Sequence, residues 1–412
     1  MSHKIIALFP GQGSQAVGMC KQLYSEDTQT KEIFQTANNA IGFDLANICF
    51  NGPEDDLLQT QIAQPALLTA SIALYWHFCR HYSIEVLAAA GHSLGEYTAL
   101  VASGAFPFEQ AVQLVYKRGI LMAKHGSQIA GEMHAVLGST SDSIQPYLTD
   151  NVIISNYNSP QQSVISGVQP EIGEVLQKLQ SAGLYSAKLK VSGPFHSQYM
   201  EGAARELKPT LDALSFASMK FPVLSNVTAE EHVLDEISLK LYEQIYQPVQ
   251  WAQTIRKMAR YHADYYIDFG PKPTMKRLVT DNDEALKVKV KSVCLQEDMD
   301  FFRLQSGISL PTLEAGGYDA IAACYKTVVC TKNRNEDPQD FRNRVLLPSH
   351  ELIQLVHRLR QEQRVPTDQE VADAYGFFIS IMQGKGMPAH DIQTRSTEIF
   401  GGKEDTQWTF QN

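Results

Sequence analysis

The chain has 412 residues, of which 44% are hydrophobic and 19% are charged. This composition supports a large buried core divided among about two or three domains, and it argues against extensive disorder. The formal net charge of −10 at pH 7 excludes a general electrostatic attraction to nucleic acid or to an anionic membrane.

The six cysteines are scattered along the chain and include no CxxC pair, so we expect neither a disulfide framework nor a metal site. The polar start and the short apolar run after it are not a secretory signal. No apolar run approaches the length that spans a bilayer. These features predict a cytoplasmic protein without a membrane partner, and we expect it to be a monomer.

Short strands alternate with helices through the first part of the chain. Residues 5–9 form an apolar run that ends in a turn of proline and glycine, which predicts a buried parallel strand. Helical spacing follows over about residues 31–40 and 64–81, then a strand over residues 86–90 and a helix over about residues 107–125. This alternation predicts an α/β sheet with helices on both faces.

A G-x-S-x-G motif centred on Ser93 lies between the strand over residues 86–90 and a helical stretch over residues 96–103. In that context the motif forms a nucleophile elbow, a sharp strand-to-helix turn that exposes the serine hydroxyl. Gly91 and Gly95 have no Cβ to clash in the turn, and free N–H groups at the helix start favour developing negative charge. The alternative is a surface turn without chemistry, but the flanking elements favour a nucleophilic Ser93.

The pattern changes after the helix over residues 107–125. Strands are predicted at residues 134–138, 152–157, 163–167 and 185–191, with helices at residues 141–147 and 170–183. The order β-α-β-β-α-β is that of a ferredoxin-like fold. We therefore expect a small subdomain, residues 126–197, inserted into a large hydrolase-like α/β domain made of residues 1–125 and 198–297. The cleft between them is the expected ligand site.

Residues 298–412 form a third region, with helical spacing at residues 319–332, 349–364 and 367–383. Thr367 and Glu370 match a capping box, which predicts the start of the last of these helices. The tail beyond Gly384 is polar and glycine-rich, as in disordered segments. We expect a helical extension and find no chemical constellation in it.

A nucleophilic serine needs a base, because its hydroxyl is barely ionised at neutral pH. His196 follows the inserted segment and can face the elbow across the cleft, although a lone histidine is more often structural. His92 is the rival base, but adjacent side chains in an elbow point apart. Arg118 lies in an otherwise apolar helical stretch. It is either a solvated charge or a bidentate clamp on a carboxylate, and the residue type alone leaves both open.

Seven motifs, spread over about the first 295 residues, together resemble one family. They are PGQGSQ at residues 10–15, QIAQPAL at 61–67, GHSLGEY at 91–97, RG at 118–119, NYNSP at 156–160, GPFHS at 193–197 and PVQW at 248–251. The family is that of malonyl-CoA:acyl carrier protein acyltransferases. The chain is similar to the free-standing enzymes that serve fatty acid synthesis or trans-acyltransferase polyketide synthesis.

The resemblance implies a reaction and its two central residues. Ser93 would attack the thioester of malonyl-CoA while His196 takes its proton. The acyl-serine would then pass the malonyl group to the phosphopantetheine thiol of an acyl carrier protein, a ping-pong scheme. Malonyl-CoA is therefore the expected substrate and the carrier protein the expected partner, with no bound cofactor.

The resemblance also implies supporting residues around the serine. The backbone N–H groups of Gln12 and Leu94 would form the oxyanion hole, where a glycine-flanked loop and the residue after the nucleophile place such donors. The backbone carbonyl of Gln250 would orient His196 in place of an acidic third residue. The side chain of Asn156 would lend support nearby.

Selectivity would come from Arg118, whose planar guanidinium matches the free carboxylate of a malonyl group. Leaving that buried cation unpaired costs about 3–5 kcal/mol, enough to reject acetyl groups. Phe195 would fill the side of the pocket where an α-branch projects, and Met122 lines the same wall or is a plain core residue. His134 departs from the small residue that relatives carry, so the strand edge near the cleft is expected to differ.

Two other functions compete with malonyl transfer. An acyl hydrolase of the same fold, which releases stalled acyl groups from carrier proteins, needs the serine and histidine but no carboxylate clamp. A non-catalytic scaffold in a synthase complex would not need Ser93, His196 and Gln12 intact. The extension over residues 298–412 has two open roles as well: docking of a carrier protein, or a stabilising cap.

Overall fold

The computed structural model describes residues 2–305, 318–333, 335, 337–362 and 364–400. The chain divides into two compact units, residues 1–308 and residues 309–412. The predicted boundary at residue 297 therefore lies within the first unit. The reason is a helix, Gln296–Gln305, whose Phe302 is buried against the rings of Phe78 and Tyr265.

The described residues contain nine β-strands. In chain order they are β1 His3–Phe9, β2 Ile84–Gly91, β3 Gly131–Leu137, β4 Val152–Ser159, β5 Gln162–Val168, β6 Tyr185–Lys188, β7 Val223–Leu224, β8 Tyr265–Asp268 and β9 Val290–Ser292. Five form a parallel sheet in the order β7-β2-β1-β8-β9, and four form an antiparallel sheet in the order β4-β5-β3-β6. All of the first sheet belongs to the large domain and all of the second to the inserted segment.

The central strand β1 explains why the parallel sheet is covered on both faces. Its residues from Ile5 to Phe9 are fully buried. Ile5 and Phe9 belong to one apolar core, whereas Ile6 and Leu8 belong to the other, as the two-residue period of a strand requires.

The α-helices of the first unit are Lys21–Glu26, Thr28–Ile41, Leu45–Asn51, Glu54–Leu58, Thr60–His81, Leu94–Ser103, Phe108–Ser127, Ser141–Ile144, Glu171–Ser181, Glu201–Asp212, Ile237–Gln244, Trp251–Met258, Thr274–Asn282 and Gln296–Gln305.

The antiparallel sheet has the predicted element order, with a short helix between β3 and β4 and the helix Glu171–Ser181 between β5 and β6. Its strand order is that of a ferredoxin-like fold. The predicted fold class, an α/β domain with a ferredoxin-like insertion and helices at the C-terminus, is confirmed.

The second unit is helical. Its α-helices are Tyr318–Cys330, Pro338–Phe341, Leu347–Glu362, Asp368–Gly384 and Ala389–Phe400, with a π-helical turn at Arg342–Leu346. Both halves of the predicted capping box at Thr367 and Glu370 are present. The prediction of disorder beyond Gly384 is wrong for Ala389–Phe400, because Ile392 is buried in the core of this unit. Residues 401–412 lie outside the described residues.

No helix in the described ranges is both long enough and apolar enough to cross a membrane.

Candidate active site

Ser93 lies at a sharp turn between β2 and the helix Leu94–Ser103, with φ 51° and ψ −108°. The turn is tight enough that only glycine fits on either side of it. A Cβ on Gly91 would lie 1.8 Å from the carbonyl carbon of Gly95, and a Cβ on Gly95 would lie 2.1 Å from the carbonyl oxygen of Phe9. The backbone conformation of Ser93 is one that L-residues rarely adopt, as expected of a nucleophile elbow.

The base predicted for Ser93 is within reach of it. Nε2 of His196 lies 2.8 Å from Oγ of Ser93, and Nδ1 lies 2.8 Å from the backbone carbonyl oxygen of Gln244. Because a carbonyl oxygen only accepts, Nδ1 carries the hydrogen and Nε2 presents its lone pair to the serine hydroxyl. The imidazole is thus in the tautomer that can take the proton of Ser93.

The charge state of His196 follows from its surroundings. The residue is 3% exposed. Burial, reinforced by the nearby positive charge of Arg118, lowers the pKa of the imidazole to about 3. A histidine that stays neutral at neutral pH is available to accept a proton.

The residue that orients His196 differs from the one predicted. The family resemblance implied the carbonyl of Gln250, but the carbonyl of Gln244 makes the contact with Nδ1. Gln244 ends the helix Ile237–Gln244, where a carbonyl has no partner within the helix. Gln250 precedes the helix Trp251–Met258, and its carbonyl accepts from the backbone N–H and hydroxyl of Thr254.

Arg118 is buried, 1% exposed, and faces the nucleophile. Its Nη1 donates to the side-chain oxygen of Gln64 (2.8 Å), and its Nη2 donates to the side-chain oxygen of Gln244 (2.9 Å) and to Oγ of Ser93 (3.2 Å). The guanidinium also lies over the ring of Tyr97, 5.1 Å from its centroid. Burial lowers the pKa of Arg118 from its ordinary value. The solvated alternative is therefore excluded.

Two unoccupied donors lie near the serine. In the described part of the chain, the backbone N–H groups of Gln12 and Leu94 make no hydrogen bond. Leu94 is the first residue of its helix, where such groups are free. Both residues line the cavity that contains Ser93 and His196. This arrangement suits an oxyanion hole.

That cavity, of about 400 Å³, lies between the parallel sheet and the inserted segment. Arg118, Phe195, Met122 and Asn156 all line it. The side-chain oxygen of Asn156 accepts from the hydroxyl of Ser155. Asn156 is therefore a wall residue, and within the residues that the structure describes it makes no hydrogen bond to His196.

His134 does not line the cavity. Strand alternation directs its neighbours Met133 and Ala135 into the cavity. The imidazole of His134 instead lies 3.0 Å from the carboxylate of Glu132. The histidine at position 134, where relatives carry a small residue, therefore does not change the cavity wall, to which Met133 and Ala135 contribute instead.

Sequence reasoning missed the polar residues beneath the elbow. Oδ1 of Asn226 accepts from the backbone N–H of Ser93 (2.6 Å), and its Nδ2 donates to the carbonyl of Gly91 (2.7 Å). Gln64 and Gln244 hold Arg118, as described above. Gln64 belongs to the QIAQPAL motif, which was a signal that it is not an ordinary helix residue. Asn226 lies just after a short strand and carried no local signal.

A metal ion has no evident place in this site. Within residues 2–305 and the described parts of the second unit, no three His, Cys, Asp or Glu side chains are grouped to hold one.

Comparison with known proteins gives these residues a family context. The model of the acyl transferase domain family matches residues 7–305, which lie within the first unit. The chain is 40% identical over 296 residues to the malonyl CoA-acyl carrier protein transacylase of Bacillus subtilis (strain 168), covering 69% of this chain and 92% of the relative. It is 37% identical over 274 residues to the polyketide biosynthesis malonyl CoA-acyl carrier protein transacylase BaeC of Bacillus velezensis, covering 65% of this chain and 92% of the relative.

A similar solved structure includes a partner. It contains a type II polyketide synthase acyl-carrier protein in complex with its malonyl-transacylase. The similarity has a TM-score of 0.66 at 31% identity and covers 70% of this chain and 94% of the matched one.

Proposed function

The chain belongs to the acyl transferase family of malonyl-CoA–acyl carrier protein transacylases, and we propose that Ser93 carries the malonyl group between the two thiols. The enzyme is an acyltransferase that moves malonyl from malonyl-CoA to an acyl carrier protein. The observation that supports this role for Ser93 most directly is that its hydroxyl contacts both His196 and Arg118 in one cavity.

In the first half-reaction, Oγ of Ser93 attacks the thioester carbonyl carbon and its proton passes to Nε2 of His196. The tetrahedral intermediate carries an oxyanion, for which the backbone N–H groups of Gln12 and Leu94 are the proposed donors. A single donor of this kind contributes about 10²–10³ to the rate. The intermediate collapses with cleavage of the C–S bond, and the CoA thiolate takes the proton from His196.

The second half-reaction reverses these steps with a different thiol. The phosphopantetheine thiol of the carrier protein gives its proton to His196 and attacks the malonyl ester on Ser93. Collapse breaks the ester C–O bond and returns the proton to Oγ of Ser93. The imidazole of His196 thus acts as a base when neutral and as an acid once protonated, in both halves.

Arg118 is the proposed clamp for the malonyl carboxylate. Its guanidinium is buried, lies at the cavity and is held by neutral amide oxygens rather than by a carboxylate of the chain. A substrate carboxylate would supply the missing direct counter-charge in a bidentate contact. Phe195 and Met122 form the nearby apolar wall and are the proposed selectivity residues.

The buried guanidinium of Arg118 also favours malonyl transfer over the alternative function, hydrolysis of neutral acyl groups. An acyl hydrolase for neutral acyl groups gains nothing from a desolvated guanidinium beside its nucleophile. A non-catalytic scaffold has no use for a serine–histidine contact at 2.8 Å. The cytoplasmic location, the monomeric state and the lack of a cofactor stay predictions from the sequence.

Mass spectrometry of the Ser93 peptide tests the proposal. After incubation with malonyl-CoA, we expect one malonyl group on that peptide and none in the Ser93→Ala variant. Addition of a carrier protein bearing its phosphopantetheine arm should discharge the enzyme, whereas the same carrier without the arm should not. A peptide that stays unmodified, or malonyl attached to another residue, would contradict the proposal.

A further inference from the structure

A buried acid–histidine pair lies beneath the elbow, outside the reaction steps described above. Oε1 of Glu96 is 2.6 Å from Nε2 of His232, and both side chains are fully buried. Glu96 belongs to the first turn of the helix that begins after Ser93, and His232 lies in the loop after β7. Burying two such groups is costly unless their hydrogen bonds are made.

The other oxygen of Glu96 is occupied as well. Oε2 accepts from the backbone N–H of Asn226 (3.1 Å) and from Nε2 of Gln244 (2.8 Å). Asn226 also binds the backbone of Ser93 and Gly91. Glu96 therefore connects two residues that hold the elbow in place.

Gln244 joins this carboxylate to the reacting groups. Its side-chain Nε2 donates to Glu96 and to the backbone carbonyl of Ser93 (2.7 Å), which uses both N–H groups. Its side-chain oxygen is consequently turned toward Nη2 of Arg118 (2.9 Å). Its backbone carbonyl binds Nδ1 of His196.

We propose that Glu96 and His232 are a positioning pair, which fixes the side-chain amide of Gln244 so that its oxygen holds Arg118 in place for the malonyl carboxylate. His232 donates to Glu96 and keeps the carboxylate turned toward Gln244. If the amide turned over, its NH₂ group would face the guanidinium, and two donors would be opposed. This inference rests on the proposed function of Arg118.

Charge supports the same assignment. Burial lowers the pKa of Arg118, and Tyr97 and, to a smaller extent, Glu96 act in the opposite direction. Glu96 is thus a counter-charge that reaches Arg118 through the side chain of Gln244 and not by direct contact. A carboxylate bound directly to Arg118 would compete with the malonyl carboxylate for the guanidinium. Glu96 does not compete, because the side-chain amide of Gln244 lies between it and Arg118.

The test measures the malonyl preference, the ratio of Ser93 loading rates from malonyl-CoA and acetyl-CoA. We expect Glu96→Gln and His232→Leu to lower this ratio by about tenfold or more, as for the loss of a charge-assisted hydrogen bond. His232→Gln, whose side-chain nitrogen can replace Nε2, should restore most of the preference. A surface pair of the same type, His125 with Glu206, supplies the control: His125→Leu should leave the ratio unchanged.

Two results would overturn the positioning role. One is an equal loss of malonyl and acetyl loading, which indicates a general packing defect. The other is a ratio unaffected by Glu96→Gln. Where that variant does not fold, the comparison of His232→Leu with His232→Gln carries the same test, because the two variants differ in whether a side-chain N–H can reach Glu96. A wild-type enzyme that takes no malonyl at Ser93 would instead contradict the proposed function itself.

Discussion

Nη2 of Arg118 lies 3.2 Å from Oγ of Ser93, so one cation faces both the nucleophile and the space its substrate must occupy. The same cation lowers the pKa of His196, the base on the other side of the serine. Arg118 therefore has two separable effects: selection of a carboxylate and maintenance of a neutral imidazole.

The second effect predicts a pH profile. With a pKa of about 3, His196 stays neutral as the pH falls through 6.5, its ordinary pKa. Labelling of Ser93 by a neutral fluorophosphonate should therefore stay flat through that region. In Arg118→Gln a positive charge is lost, so the pKa of His196 rises and the acid limb of the labelling rate moves toward higher pH.

The direction of this shift in the acid limb tests whether Arg118 lowers the pKa of His196. An acid limb near pH 6.5 in the wild type would mean that His196 is not desolvated as described. An acid limb in Arg118→Gln at or below that of the wild type would show that the cation has no influence on the base. Thermal unfolding of both proteins at each pH separates loss of fold from protonation of His196.

The tight turn at Ser93 predicts that a methyl group added at Gly95 destabilises the protein. In Gly95→Ala, the new Cβ would lie 2.1 Å from the carbonyl oxygen of Phe9, a backbone atom that cannot move without disturbing β1. We expect loss of folded protein or a fall in melting temperature, together with loss of Ser93 labelling. In the control Gly173→Ala, the nearest atom is the side-chain oxygen of Gln169 at 3.0 Å. That variant should melt close to the wild type, and equal melting of the two would contradict the tight turn.

Phe195 predicts a change in extender selectivity. It is buried, 5% exposed, and lines the cavity beside His196. Phe195→Ser should open the wall and raise the methylmalonyl-to-malonyl ratio of loading by about 10-fold to 200-fold, the range that one methyl group permits. Competition between the two CoA thioesters, read by mass on the Ser93 peptide, measures this ratio. An unchanged ratio would mean that residues other than Phe195 limit the space for the methyl group.

The two-unit division predicts the outcome of truncation. The family match ends at residue 305, and the first unit contains every residue of the proposed site. A chain that ends at residue 308 should fold and load malonyl on Ser93 as fast as the full chain. Slower transfer to the carrier protein alone would assign docking to the extension. Aggregation of the shortened chain would show instead that residues 309–412 stabilise the first unit.

Much of this architecture was predictable because its signals are local. Apolar runs bounded by turns gave the strands, and the capping box at Thr367 located a helix start. Gly91 and Gly95, which belong to the motif itself, permit the tight turn at Ser93. The motifs that carried the family resemblance also brought Ser93, His196 and Arg118 together, and these three do meet in one cavity.

The unpredicted part depends on contacts between distant segments. Gln244 and Gln250 lie in the same glutamine-containing stretch, and only the place where one helix ends and the next begins decides whose carbonyl is free for His196. Asn226 holds the backbone of Ser93 from 133 positions away. Helix Ala389–Phe400 was missed because its few apolar residues stabilise it only by packing on neighbouring helices.

Arg118→Ala, tested with equal amounts of malonyl-CoA and acetyl-CoA and read by mass on the Ser93 peptide, examines the central claim most directly. The claim is that a nucleophile, a base and a carboxylate clamp share one cavity. The wild type should carry malonyl almost alone. The variant should lose that preference by about a hundredfold or more, the equivalent of roughly 3 kcal/mol, while it still accepts acetyl. A variant that keeps the preference for malonyl would contradict the account.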